Sequence, residues 1–200
     1  MNSKDPYLLL NNPPIVQIPT NQIWYRLQLK KATSRSVQVK GYILAPTGGV
    51  VNRFDLVSEP TAYLADSPET ALYESLFRRE VTSCHWDRLA QRELVSFETQ
   101  KAISLVYLRG QEEQYPVLQS MRYESSQELA KNYREKGLDG ILYASAQHPY
   151  HGCVCLFKTG IEKTKKLESY PLVEPKTKAI HKAVVIAQRG SQVPIIYEAK

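Results

Sequence analysis

The sequence predicts a single α+β domain, in which a central mixed or antiparallel β-sheet is flanked by a few helices. Three observations lead to this prediction: a length of 200 residues, several short strand patterns, and only two strong helix-start signals. The composition, 42% hydrophobic and 23% charged, is that of a globular protein and excludes a disordered, collagen-like or coiled-coil chain. No apolar run reaches the roughly 18 residues that span a membrane, and we expect no secretory signal.

The N-terminal part of the chain changes from irregular to strictly patterned. Residues 1–20 contain several prolines and are expected to form an irregular leader. Residues 23–30 alternate between apolar and polar side chains, which predicts a half-buried strand with Trp24 and Arg26 on the face away from the core. Residues 46–49, with the sequence Pro-Thr-Gly-Gly, predict a turn-forming loop.

The first helix is predicted from its start signal. The tripeptide Ser-Pro-Glu at residues 67–69 supplies a capping hydroxyl, a proline suited to the first helical turn and a carboxylate suited to the positive end of the helix dipole. We expect this helix to run to about Glu80, with Leu72 and Leu76 anchoring it to the core. Glu74 then lies almost opposite the two leucines, on the less buried face.

The middle of the chain carries shorter signals. Residues 84–92 are typical of a helix, and a second clear helix opens at Ser125, with Glu128 completing a capping box and Gly137 ending it. A loop is predicted at residues 144–151. Five apolar segments bounded by turn residues are predicted to be strands: 62–65, 93–99, 103–108, 138–143 and 152–158.

The C-terminal part of the chain is rich in lysine. Residues 161–200 are predicted to form a basic extension, in which residues 183–186 and 193–197 could pair as a β-hairpin. The net charge of +6 suits an anionic partner, such as nucleic acid, an acidic protein or a phosphate-bearing small molecule. An ordinary basic surface accounts for the same charge.

The cysteines give no sign of a disulfide framework, because there are only three of them. They predict reduced thiols in a cytoplasm. Cys153 and Cys155 would share one face of a strand, and with His148 and His151 they offer the ligand types of a zinc site. Their spacing matches no strong zinc pattern, so we expect thiols in the core and no metal.

Polar side chains at four positions are candidates for chemistry, and each has a purely structural alternative. Arg53 could pair with Asp55 or Glu59, and Glu74 could pair with Arg78 one helical turn further on. Arg26 could simply be a surface residue of its strand, and Ser145 could stabilise its own loop. The four candidates are Arg26, Arg53, Glu74 and Ser145.

Several motifs, taken in order, resemble the core of the RES domain family over roughly residues 23–157. The family is named after an Arg, a Glu and a Ser in this order, and the resemblance implies a catalytic domain at residues 21–160. Its fold resembles that of the ADP-ribosyltransferases, and the substrate shared with them is NAD+. The motifs are N-R-F-D at 52–55, E-P-T-A-Y-L-A at 59–65, T-A-L-Y-E at 70–74 and G-I-L-Y-A-S-A at 140–146.

The resemblance implies a role for each matching residue. Arg26 and Arg53 would bind the pyrophosphate of NAD+, because an arginine fork matches phosphate oxygens. Tyr63 would pack against the nicotinamide or the ribose. Glu74 would stabilise positive charge on the ribose as the nicotinamide leaves, as carboxylates do in glycoside hydrolysis. Ser145 would bind the nicotinamide side or position the ribose; Glu74, Arg53 and Ser145 are the implied catalytic residues.

The family is known for toxins of bacterial toxin–antitoxin pairs and for related interbacterial effectors. The leading hypothesis is therefore a toxin that degrades NAD+ by hydrolysis or phosphorolysis, in the cytoplasm of the producing cell or of a target cell. An antitoxin, usually carrying a helix-turn-helix DNA-binding domain, or an immunity protein would neutralise it. No metal cofactor is implied.

Three alternatives stay open at this point. The first is an ADP-ribosyltransferase that modifies a cellular protein with the same residues. The second is a non-catalytic basic module that binds nucleic acid, although the chain lacks a helix-turn-helix and an RNA-binding sheet signature, so direct nucleic-acid binding is not expected. The third is a degenerate family member that only binds a partner.

Overall fold

One sheet contains most of the strands in the described part of the chain. The computed structural model describes residues 11–33, 36–46, 52–119 and 122–197. The strands are β1 (Ile15–Ile18), β2 (Ile23–Leu29), β3 (Ser36–Val39), β4 (Ile43–Pro46), β5 (Ala62–Ala65), β6 (Cys84–His85), β7 (Arg92–Thr99), β8 (Ile103–Tyr107), β9 (Gly140–Ala144), β10 (Gly152–Leu156), β11 (Thr164–Pro171) and β12 (Ile195–Ile196). The helices are α1 (Pro68–Tyr73), α2 (Trp86–Ala90), α3 (Glu124–Glu135), α4 (Lys158–Glu162) and α5 (Lys182–Ser191).

The large sheet is mixed, and the chain forms a single α+β domain, as the sequence predicts. Its eight strands, counted over the described ranges, follow the order β1-β8-β9-β10-β5-β2-β7-β11. All neighbours are antiparallel except β8 and β9, which are parallel. Strands β3 and β4 form a separate hairpin, and β6 and β12 form a short parallel pair.

Strand β2 lies inside this sheet, between β5 and β7, and is covered on both faces. Trp24 is buried in a cluster with Val95 and Phe97, whereas Tyr25 and Leu27 pack towards the helices on the opposite face. The prediction of a half-buried strand is therefore wrong for Trp24. Sequence alternation marks the two faces of a strand, but it cannot reveal that a second layer covers the more polar one.

Helix α1 begins as predicted and ends early. The hydroxyl of Ser67 accepts a hydrogen bond from the N–H of Thr70 at 3.1 Å, which confirms the capping residue. The helix ends at Tyr73 rather than near Glu80, because the next N–H groups, at residues 75–77, all donate to the Leu72 carbonyl in a tight turn. This turn buries the adjacent side chains of Leu76 and Phe77. In a continued helix these two side chains would point about 100° apart.

The second predicted helix forms with a different start. Helix α3 begins at Glu124, one residue before Ser125, and its capping residue, Tyr123, makes no side-chain capping bond. The predicted capping box is therefore wrong. The predicted end is confirmed, since Gly137 adopts the left-handed φ of 81° that favours glycine. The predicted helix at residues 84–92 is only partly present, because β6 occupies its first two residues and β7 its last.

The two terminal segments take part in the sheet, contrary to prediction. Ile15–Ile18 of the predicted leader pairs with β8. Strand β11 pairs along β7, so the predicted domain end at residue 160 is wrong. Residues 1–10 of the leader and the predicted loop at 47–49 lie outside the described residues.

The predicted C-terminal hairpin is also wrong. Residues 183–186 belong to helix α5, and Ile195–Ile196 pairs with β6 instead. The β-branched residues of this segment suggest a strand, but Ala183, Val184 and Ala187 share a helical face and are buried against α1. Gly190 lies so close to the Tyr73 hydroxyl that a Cβ would overlap it. Among the described residues, no helix is long and apolar enough to cross a membrane.

Candidate active site

A cleft lies where two neighbouring strands of the sheet separate. Strands β2 and β5 are adjacent, yet only Tyr25 and Ala65 are paired between them. Next to this split is a cavity of about 440 Å³, within the usual range for ligand sites. Four of the five residues implied by the family resemblance line it, and these are Arg26, Arg53, Tyr63 and Glu74.

Arg26 extends from β2 across the split. Its Nη1 donates to the carbonyl oxygen of Tyr63 at 2.8 Å, which places the guanidinium against β5. Burial lowers the pKa of Arg26, but a guanidinium remains protonated in proteins. The structure therefore holds a permanent positive charge in a poorly hydrated position, where an anionic ligand gains most from it.

Arg53 is carried by a turn that the buried carboxylate of Asp55 holds together. The backbone N–H and the side-chain amide of Asn52 donate to Asp55 Oδ2 at 2.8 and 2.9 Å. Thr61 Oγ1 and the Tyr63 hydroxyl donate to Oδ1 at 2.9 and 3.0 Å. One carboxylate thus connects the Arg53 turn to β5.

The other neighbours of Arg53 differ from the structural alternative weighed above. Glu59 forms a bidentate pair with Arg134, at 2.6 and 3.1 Å, so Glu59 is not the partner of Arg53 that the structural alternative offered. The Arg53 guanidinium instead lies 5.8 Å from the ring centre of Tyr123, a cation–π distance. Arg53 also lines the cavity.

Tyr63 presents its ring, rather than its hydroxyl, as the available group. The hydroxyl donates to Asp55 and accepts a hydrogen bond from the N–H of Phe54 at 3.0 Å. Burial raises the pKa of Tyr63 well above its ordinary value, which keeps this hydroxyl neutral. The aromatic face of Tyr63 is therefore the part of the side chain that is available to pack against a ring or a ribose of a ligand.

Glu74 is the C-capping residue of α1, and its side chain lines the cleft. Ser145 Oγ donates to Glu74 Oε1 at 2.5 Å, and the N–H of Gln147 donates to the same oxygen at 3.3 Å. No described residue bonds the second oxygen, Oε2. The alternative pairing of Glu74 with Arg78 is not formed, because Arg78 pairs with Glu80 at 2.6 Å.

Ser145 is fully engaged in its own loop and in holding Glu74. Its oxygen accepts hydrogen bonds from the N–H groups of Gln147 and His148 at 3.2 and 2.9 Å while its proton goes to Glu74. The His148 ring bonds the hydroxyl of Thr70 at 2.7 Å and not Ser145, so there is no activated serine–histidine pair here. The geometry makes Ser145 a positioning residue for the carboxylate.

Two stacked histidines fasten the same loop to the start of α1. The rings of His148 and His151 are parallel within 5° and 3.8 Å apart. His151 Nδ1 bonds Asp66 Oδ1 at 2.9 Å, and Asp66 Oδ2 accepts the N–H of Gly152 at 2.6 Å. Burial, and secondarily the neighbouring His151, lower the pKa of His148.

Three further residues contribute to the site in ways that the sequence did not predict. Tyr143 lies two residues before Ser145 on β9, lines the cavity and packs edge-on against Phe54 at 5.2 Å. The period of two along a strand could have indicated it. Asp55 is the last residue of the arginine motif, but only the fold reveals its burial. Gln147 acts through a backbone N–H, which no sequence pattern marks.

The cysteines are core thiols, as predicted. Cys84, Cys153 and Cys155 are all buried, and burial raises the pKa of each. No group of three or more potential metal ligands occurs among the residues that the structure describes.

Comparison with known proteins places this geometry in a family. No curated protein matches the chain in sequence. Among solved structures, the chain is similar in fold to one in the crystal structure of the M. tuberculosis MbcT–MbcA toxin–antitoxin complex, with a TM-score of 0.57 and 12% identity over 88% of this chain and 92% of that chain. The RES domain model matches residues 23–173, from the start of β2 to just beyond β11. The chain therefore belongs to the RES domain family.

Proposed function

We propose that this chain is a toxin enzyme that cleaves the bond between nicotinamide and ribose in NAD+. The observation that carries the proposal is the cleft itself, where two guanidinium groups and a carboxylate with one unbonded oxygen line the same cavity. Arginine forks bind phosphate oxygens, and a carboxylate stabilises a cationic ribose. NAD+ carries both chemical features on one molecule.

The residues have separate roles in this reaction. Arg26 and Arg53 bind the pyrophosphate, and the ring of Tyr63 packs against the nicotinamide or the ribose. Glu74 Oε2 lies against the ribose carbon as positive charge develops there. Ser145 and the Gln147 N–H hold the other carboxylate oxygen, so that Glu74 is oriented before the substrate arrives.

The bond breaks without a general acid, because the leaving group is already cationic. The electron pair of the nicotinamide–ribose bond goes to the ring nitrogen, and neutral nicotinamide leaves. Water or inorganic phosphate then donates an oxygen lone pair to the ribose carbon and loses a proton to solvent. This chemistry needs one carboxylate, whereas ordinary glycosidases use two.

The same cleft could transfer ADP-ribose to a side chain of a cellular protein, since only the final acceptor differs. The proposal also includes a neutralising partner, an antitoxin or immunity protein, because a similar fold occurs in a toxin–antitoxin complex. Such a partner would cover the cleft or insert into it. The producing cell's cytoplasm, or that of a target cell, is the proposed place of action.

The test is NAD+ turnover by the purified chain, followed as nicotinamide release with and without phosphate. We expect release by the wild type and a fall in kcat of about 100- to 1,000-fold in Glu74→Gln. Glu69→Gln, a carboxylate change on the same helix, is the matched control and should retain activity. A radiolabelled NAD+ assay with added cell proteins distinguishes transfer to protein from hydrolysis. Absence of both nicotinamide release and transfer would contradict the proposal.

A further inference from the structure

A second cavity of about 380 Å³ adjoins the cleft, and of the residues with a role in the proposed reaction, Arg53 and Ser145 line it. Phe54, Leu108 and Leu118, all nearly inaccessible to solvent, form much of its lining. The charged side chains that line it are Arg53 and Glu112. Ser145 also lines this cavity, but its hydroxyl is bonded to Glu74, and a mostly apolar lining with a few polar groups is typical of a ligand site.

The two cavities share one wall. Arg53, Tyr143 and Ala146 line both of them, whereas Glu74 lines only the first. A ligand that extends from Glu74 past Arg53 therefore enters the second cavity. Its middle part then lies beside a guanidinium, which favours a phosphate at that point.

The order of groups along NAD+ matches this arrangement. Nicotinamide and its ribose come first, then the pyrophosphate, then adenosine. With the reacting ribose at Glu74 and the pyrophosphate at Arg53, the geometry points to the second cavity as the site of the adenosine half, with Glu112 as the residue that selects NAD+ over NADP+. This inference rests on the proposed function.

Glu112 is suited to read the ribose of adenosine. It lies in the turn after β8, is half-buried, and forms no hydrogen bond or ion pair with any described residue. A carboxylate accepts hydrogen bonds from ribose hydroxyls, and acidic residues of dinucleotide-binding folds bind the 2′-hydroxyl of NAD in this way. NADP+ carries a phosphate on that oxygen, and two negative groups at close range repel each other.

The experiment compares kcat/KM for NAD+ and for NADP+. We expect the wild type to prefer NAD+ by at least about tenfold, and Glu112→Lys to abolish or reverse this preference. Glu113→Lys is the matched control, because Glu113 has the same charge, lies next in the same turn, is exposed and does not line the cavity. It should keep the wild-type preference.

The outcomes separate this inference from the proposed function. An unchanged preference in Glu112→Lys, or an equal change in Glu113→Lys, overturns the role of Glu112 while NAD+ cleavage stands. If neither dinucleotide is cleaved, the proposed function fails, and the cavity is tested by calorimetry with adenosine 5′-monophosphate and its 2′-phosphorylated form. Preference for the first ligand, reversed in Glu112→Lys, supports the adenosine site; binding of neither overturns it.

Discussion

The two walls of the cleft are built in different ways. The arginine wall, formed by Arg26, Arg53 and Tyr63, is fastened by side chains to the buried carboxylate of Asp55 and to β5. The carboxylate wall, formed by Glu74 and Ser145, is fastened largely by backbone N–H groups of a half-buried loop. The proposed function therefore assigns substrate binding to a wall that belongs to the core, and bond cleavage to a wall near the surface.

This difference separates stability from activity. Changes in the arginine wall leave donors unpaired in the core, so they lower the free energy of unfolding together with substrate binding. Changes in the carboxylate wall expose polar groups that water can reach, so they lower kcat with little effect on folding. Each prediction below tests one side of this contrast.

The largest effect is expected from Asp55→Ala. Its side chain is 4% exposed and accepts hydrogen bonds from Asn52, Thr61 and Tyr63, which would lose their shared partner. We expect the free energy of unfolding to fall by about 3 kcal/mol or more, measured by urea denaturation. Asp87→Ala, an exposed acid in α2, is the control. A loss below about 1 kcal/mol would mean that water replaces these bonds and that the arginine wall is not part of the core.

A smaller effect is expected from Ser145→Ala. The variant loses the 2.5 Å bond to Glu74, but the Gln147 N–H still donates to the same oxygen. We therefore expect kcat for NAD+ cleavage to fall by about tenfold with little change in KM, the size of one charged hydrogen bond. Ser145→Thr keeps the hydroxyl and should recover most of the activity. A loss as large as that of Glu74→Gln would show that the serine acts on the substrate itself.

The smallest effect is a pH dependence that belongs to the carboxylate side. Burial lowers the pKa of His148 and of His181, so the unfolded chain binds protons that the folded chain does not. The free energy of unfolding is therefore unaffected by these two histidines above about pH 6.5. It decreases as the pH falls from there towards their lower pKa in the folded chain. Melting temperatures between about pH 7.5 and 5.5 should fall less steeply in His148→Gln than in the wild type, while the exposed His85→Gln behaves as the wild type. Equal slopes in all three would place the dependence elsewhere.

The sequence predicts the local features of the fold and misses those that depend on distant partners. The strand β2 and the Ser67 cap of α1 depend on residues that are close in the sequence, so the order of residues predicts both. The burial of Trp24 and the helical state of residues 183–186 depend on what packs against them. Tertiary packing overrides intrinsic propensity in such segments.

The site shows the same division. Glu74 and Ser145 are 71 positions apart and touch only because β9, β10 and β5 are neighbours in the sheet. The family resemblance identified both of them, whereas spacing alone could not have joined them. Asp55 was weighed only as a partner for Arg53, since the burial that makes it the centre of a network is a property of the assembled core.

The contact between α1 and α5 has a consequence for the time at which the site forms. Helix α5, at Lys182–Ser191, buries Leu72 and meets Tyr73, next to the Glu74 carboxylate. During synthesis this helix emerges only after the residues of both walls of the cleft have been made, since N-terminal segments emerge first. We expect a nascent chain that stops before residue 182 to hold an incomplete carboxylate wall, so that the proposed cleavage of NAD+ would begin only after helix α5 has been added.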